Sequence, residues 1–168
     1  AEERIFSIAR GGLYAKLPSL ALPLGRLTCR EGDVDPAGTD GEAAVFAPGL
    51  LRREFLAESD LPERLTLHLL LHLMLGHPWG RQGRARALWD TACDLAVGLV
   101  RHVLLPQEPE TPAAFSARCK LQAKRAVRAP AIYALLLEQP DALTAEEQAA
   151  FYLDDHRLWQ LSASALSL

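Results

Sequence analysis

Two histidines four residues apart, His68 and His72, are the residues of this chain best placed to do chemistry. Side chains at i and i+4 of a helix lie on one face, one turn apart. Neutral imidazole is a common zinc ligand, so the pair can reach one ion. A metal site of the hydrolytic kind needs a third protein ligand and an open position. Asp94 is the favoured candidate, because the stretch that carries it reads as a second long helix and a short loop lets the two helices pack antiparallel. Asp90, one turn earlier on that helix, could serve instead or orient a ligand; its plainer role is a charge interacting with the helix N-terminus. His77 follows closely, but at nine residues from His68 an ideal helix carries it half a turn out of phase, unless the break at Gly76 and Pro78 re-aims it. A bare HxxxH pattern on an apolar helix is also compatible with two core histidines held by hydrogen bonds.

In zinc hydrolases of the His-Glu-x-x-His type, the glutamate takes the proton of the metal-bound water. Here that position is Leu69, in His68-Leu-Leu-Leu-His72. Leucine accepts no proton, so the usual general base is missing.

The elements that must position these residues follow from periodicity and punctuation. Ile5, Ile8, Ala9, Leu13 and Leu17 recur at helical spacing, which predicts a helix from Glu2 to Leu20 through Gly11 and Gly12. Leu24 to Cys29 and Ala43 to Phe46 are short apolar runs around a turn-rich stretch, Glu31 to Gly41, and predict a β-hairpin with a long loop. Pro48 opens a short helix to about Glu58. Ser59 or Asp60 can cap the histidine helix, Leu61 to Leu75, which Gly76 and Pro78 stop. Ala87 to Leu105 is the second long helix. A proline-rich connector, Gln107 to Pro112, leads to three more helices: Phe115 to Val127, Ala131 to Leu137 and Ala145 to Tyr152, the last opened by Thr144 and Glu147 in a capping-box pattern. The fold class is α+β, mainly helical, with a small β-hairpin or sheet.

The 168 residues suit one domain, 1–168, with a real core; 49% are hydrophobic and 23% charged. A formal net charge of -3 favours neither nucleic acid nor an anionic membrane as partner. The basic run Lys120, Lys124, Arg125 and Arg128 reads as a solvated helix face. Cys29, Cys93 and Cys119 form no CxxC pair, which argues against a thiolate zinc site and for a reduced, cytoplasmic setting. The N-terminus has no signal-peptide pattern, and the longest apolar stretch, Leu65 to Leu75, is too short to span a bilayer.

Several blocks together resemble one family, the metallopeptidase-like domain that bacteria place before a von Willebrand A-like domain. They are Thr39-Asp40-Gly41, Phe46-Ala47-Pro48, the histidine helix ending in Gly76-His77-Pro78, Trp89-Asp90-Thr91-Ala92-Cys93-Asp94, and Asp155-His156-Arg157-Leu158-Trp159. Their order covers nearly the whole chain. The resemblance implies a zincin-like fold with an HxxxH active-site helix. It implies zinc at His68, His72 and Asp94, and His156 near the site as a stabiliser of a tetrahedral oxyanion. The chain departs from the pattern at Leu69, where the family has glutamate, and at Asp90 and Gly98, where it has asparagine. No Asp-x-Ser-x-Ser signature of a von Willebrand A-like domain is present. The expected function is a metallopeptidase-like domain impaired in catalysis and retained as a metal-binding or protein-interaction module, with a peptide, a protein or a von Willebrand A-like domain as partner. The alternative is an active zinc hydrolase that uses another base, with Asp90 as one candidate. A purely structural helical domain, with its histidines as core residues, is the third reading.

Overall fold

A computed structural model describes residues 2–105 and 128–159. The chain divides into two compact units: Ala1–Gly80 with the segment that begins at Asp154, and Arg81–Leu153. The second is thus inserted in sequence between two parts of the first.

The first unit opens with helix α1, Glu2–Lys16, whose Ile5, Phe6, Ala9 and Leu13 are buried. Helix α1 packs on α3 and α4 and is tied to the latter by a Lys16–Glu63 ion pair. Pro18 ends it in a 3-10 turn, Pro18–Leu20, and a short helix, α2, follows at Ala21–Arg26. Leu24 is therefore a buried helical residue and not the start of a strand.

The sheet also differs from the expected hairpin. Its strands are β1 (Thr28–Glu31), β2 (Ala37–Thr39) and β3 (Ala43–Phe46), in the order β1-β3-β2. β1 runs parallel to β3, and β2 pairs antiparallel with it. The tight hairpin is β2–β3, and its second limb is the fully buried run Ala43–Phe46. The stretch read as one long loop contains β2, whose Ala37, Gly38 and Thr39 are too small and too few to give an alternating signal. The turn between β2 and β3 is held by Asp40, whose Oδ1 accepts the backbone N–H groups of Glu42 and Ala43 at 2.9 Å each. Its Oδ2 accepts from Arg30 at 2.9 Å. Burial raises the Asp40 carboxyl, but those backbone N–H groups and the Arg30 guanidinium outweigh it and hold the group below the usual carboxylate range.

Helix α3, Leu50–Leu56, begins after Gly49, and α4 spans Leu61–Met74. Ser59 Oγ accepts the Leu61 N–H at 3.1 Å, one of the two cap residues the sequence offered. Helix α4 packs on β2 and β3 and is buried almost all round from Leu65 to His72, as a continuous leucine-rich run should be.

The second unit contains α5 (Arg86–Leu104), α6 (Ala129–Glu138) and α7 (Ala145–Phe151). Helix α5 packs mainly on α6; Trp89 meets Tyr133 edge-to-face, and the Arg84 guanidinium lies over both rings. The Thr144–Glu147 capping box forms in full. The predicted helix Phe115 to Val127, the connector Gln107 to Pro112, Cys119 and the basic residues Lys120, Lys124 and Arg125 lie outside the described residues. Among the described residues, no helix is long and apolar enough to cross a membrane.

A buried histidine–aspartate cluster as candidate metal centre

The centre of the first unit holds four histidines and one aspartate in mutual contact. His68 and His72 sit on the buried part of α4 and are completely enclosed. Their spacing brings the two rings together as expected, Nε2 to Nε2 at 2.9 Å. Gly76, in the left-handed region at φ +71°, stops the helix, and the chain turns into a short 3-10 segment, His77–Trp79. That turn undoes the phase error of His77: its Nδ1 lies 2.9 Å from Nδ1 of His72.

The remaining members arrive from the far end of the chain. Backbone N–H of Asp155 donates to Ala37 O at 2.7 Å, and Asp155 forms a parallel bridge with Gly38. A Cβ on Gly38 would lie 2.5 Å from the Asp155 carbonyl oxygen, so the approach requires glycine. Asp155 reinforces the docking by accepting from Arg157 Nε at 2.7 Å and from the Asp35 backbone N–H at 3.3 Å. This segment carries Asp154, completely enclosed, and His156, 8% exposed, into the cluster. Asp154 Oδ1 stands 2.8 Å from His68 Nε2, 3.0 Å from His156 Nε2 and 3.6 Å from His72 Nε2. The His156 ring stacks on Trp159, with centroids 3.9 Å apart and planes within 20°.

Electrostatics separates the roles. Burial alone would push the Asp154 carboxyl up, but His72, His156 and His68 around it hold it well below the ordinary carboxylate range. It is an anion in a completely enclosed setting. His77 goes the other way: burial, together with His72, His156 and His68, lowers it to about 2. It stays a neutral imidazole, able to accept a hydrogen bond from the His72 Nδ1–H and thereby leave the His72 Nε2 lone pair aimed at the cluster. This is the outer-shell arrangement that orients metal-ligating histidines.

Protons alone satisfy the cluster poorly. His68 Nε2 carries at most one hydrogen, yet it stands at hydrogen-bond distance from both Asp154 Oδ1 and His72 Nε2. A cation resolves this, because all the converging atoms can then present lone pairs. His68, His72 and Asp154 each offer a ligand atom, and these lie within 4.8 Å of one another. Imidazole nitrogen and carboxylate oxygen form a donor set suited to zinc or a similar transition metal. The residues present therefore fit a metal ion.

The other candidates are placed as follows. Asp94 belongs to the second unit, among the buried residues of α5. Asp90, on the same helix, pairs with Arg86 Nε at 3.6 Å across one turn. Leu69 is fully buried, so an apolar side chain is packed where the base would be. Asp154 escaped the sequence reading. Its only signal is a second acidic residue directly before Asp155-His156, and its partner His68 is 86 positions away.

Residues 4–150 match the model of a family described as "Putative metallopeptidase domain". No curated protein and no solved structure matches the chain. The match runs across both units and takes in the whole histidine helix, so the chain belongs to that metallopeptidase-domain family.

Proposed function

We propose that this domain is a zinc-binding module of zincin type that has lost peptidase turnover. The observation that carries the reading is Leu69, fully buried beside a histidine pair whose ring nitrogens still converge on a carboxylate. General base catalysis contributes about 10²–10⁴-fold, and the leucine at this position cannot provide it. His68 and His72 bind the ion. The family pattern implies an acidic third ligand, with Asp94 as its candidate. Zinc supplies Lewis acidity to peptidases that keep their base; here it serves to hold a surface together for a peptide or protein partner, such as a von Willebrand A-like domain. The widely spaced Cys29, Cys93 and Cys119, without a CxxC pair, suit a reducing, cytoplasmic setting.

Metal analysis of the purified chain, followed by a peptide-cleavage assay with zinc added, tests the reading. The expected result is close to one zinc per chain, lost in His68→Ala and His72→Ala, with no peptide turnover. Turnover abolished by a chelator would favour an active hydrolase with another base. Absence of any zinc uptake would leave the histidines as core residues.

A further inference from the structure

The peptidase-type site described above has three protein ligands and one position open to water. The segment that begins at Asp154 brings two more donors to the same place, and nothing in the peptidase pattern of the α4 histidines calls for both. Asp154 is completely enclosed, and its Oδ1 is the atom that His68 and His156 approach. Its other oxygen, Oδ2, is buried and has no hydrogen-bond partner among the described residues. A buried carboxylate with one oxygen left in that state is costly, so native chains rarely keep one without a counter-ion or ligand.

The distances are also those of a shell. Ligand bonds of about 2.0–2.1 Å give a tetrahedron with edges of about 3.3 Å. The separations of 2.8 Å for His68–Asp154, 2.9 Å for His68–His72, 3.0 Å for His156–Asp154 and 3.6 Å for His72–Asp154 bracket that edge. All four residues belong to one compact unit.

We infer that Asp154 and His156 are direct ligands of the ion held by His68 and His72, so that the metal is enclosed by four protein donors and serves as a structural clamp on the chain's returning segment. This rests on the zinc reading above and deepens it. His68 and His72 come from α4; Asp154 and His156 come from the segment that bridges to Gly38. The ion therefore joins two stretches of chain that are also connected by a short backbone bridge, the Asp35–Asp155 hydrogen bond and ring packing. With these four donors in place no position is left for a hydrolytic water, and Asp154 is the acidic ligand in place of Asp94. His156 is then a ligand and not an oxyanion stabiliser.

Cobalt substitution of the full chain tests this without any activity readout. The cobalt-loaded protein is expected to give an intense tetrahedral visible spectrum that added azide leaves unchanged. Asp154→Asn and His156→Gln keep the side-chain volume; each is expected to alter that spectrum. Each should also weaken zinc, in a competition titration, by more than the roughly 100-fold that loss of an outer-shell partner costs. Gly38→Val is a second kind of variant that removes no ligand. Its side chain strikes the Asp155 carbonyl and should weaken zinc by displacing the segment, with circular dichroism still helical. Unchanged affinity and spectrum in Asp154→Asn and His156→Gln, or a spectrum that azide shifts, would overturn the inference while leaving a zinc-binding module in place. A wild-type chain that takes up neither metal would remove the zinc reading itself.

Discussion

At the scale of single residues, the centre depends on what each imidazole does with its second nitrogen. His72 uses Nε2 toward the cluster and Nδ1 toward His77, and the strongly depressed basicity of His77 keeps that second ring unprotonated and able to accept a hydrogen bond. His77→Ala removes the acceptor but no candidate ligand. It should lower zinc affinity by about 10–100-fold without changing the number of ions bound, which a fluorescent chelator competition measures. The histidine pair was legible in the sequence because an i, i+4 spacing fixes a shared face whatever the fold. His77 was half legible: helical phase argued against it, and the Gly76 turn that rescues it has no effect that phase alone can foresee. Asp154 was not legible at all. A residue brought in from the other end of the chain leaves no local pattern, and next to Asp155 and His156 it looks like one more charge in a polar run.

At the scale of elements, the helices were read within a residue or two where apolar period, capping residue and stop signal agree. Helix α4, expected at Leu61 to Leu75, is observed at Leu61–Met74, and the Thr144 capping box opens α7 as its residue types require. The sheet was read less well. β1 takes its parallel partner from beyond β2, a pairing that no turn residue encodes, and Leu24 was counted toward a strand although it lies in a helical turn. The Asp40 turn is the local device that fixes the β2–β3 hairpin, and its carboxylate is held below its ordinary range in the folded chain. A depressed folded value means that the charged group stabilises the fold above its unfolded pKa, near 3.8, and that this contribution fades as pH falls through the folded value. Asp40→Asn should therefore cost about 1 kcal/mol at neutral pH, a modest figure because the ion pair with Arg30 is partly exposed. The difference from wild type should shrink toward zero as the pH drops below that unfolded value. Urea unfolding at pH 7 and pH 3 gives both numbers.

At the scale of the whole molecule, the family match spans two compact units, while His68, His72, Asp154 and His156 all belong to one of them. Metal removal should therefore be felt unevenly. An ion present at 100 times its dissociation constant adds about 2.7 kcal/mol to the unit that binds it. After chelation, hydrogen exchange is expected to speed up by on the order of 100-fold in amides of Thr66 to His72 and Asp155 to Trp159. Protection in α6, which belongs to the other unit, should stay as it was. Equal loss in both sets would mean that the ion supports more than the unit holding its ligands. The division into units was not legible from composition, because the Arg81 to Leu153 stretch has the same helical, half-apolar character as its surroundings. What marks it is only where its contacts go.

The threading of the chain also sets an order of events during synthesis. A nascent polypeptide that has left the ribosome as far as Leu153 already contains the α4 histidines, the three strands and all the residues of the inserted unit, yet it lacks Asp154 and His156. Until those last groups emerge, the β2 edge around Gly38 has not received its bridge and two buried imidazoles face no anion. Contacts of such long sequence separation form late, because the loop that links them must close first. The histidine helix is therefore made before the segment that completes it, and during that interval its buried face and the open sheet edge need protection from self-association.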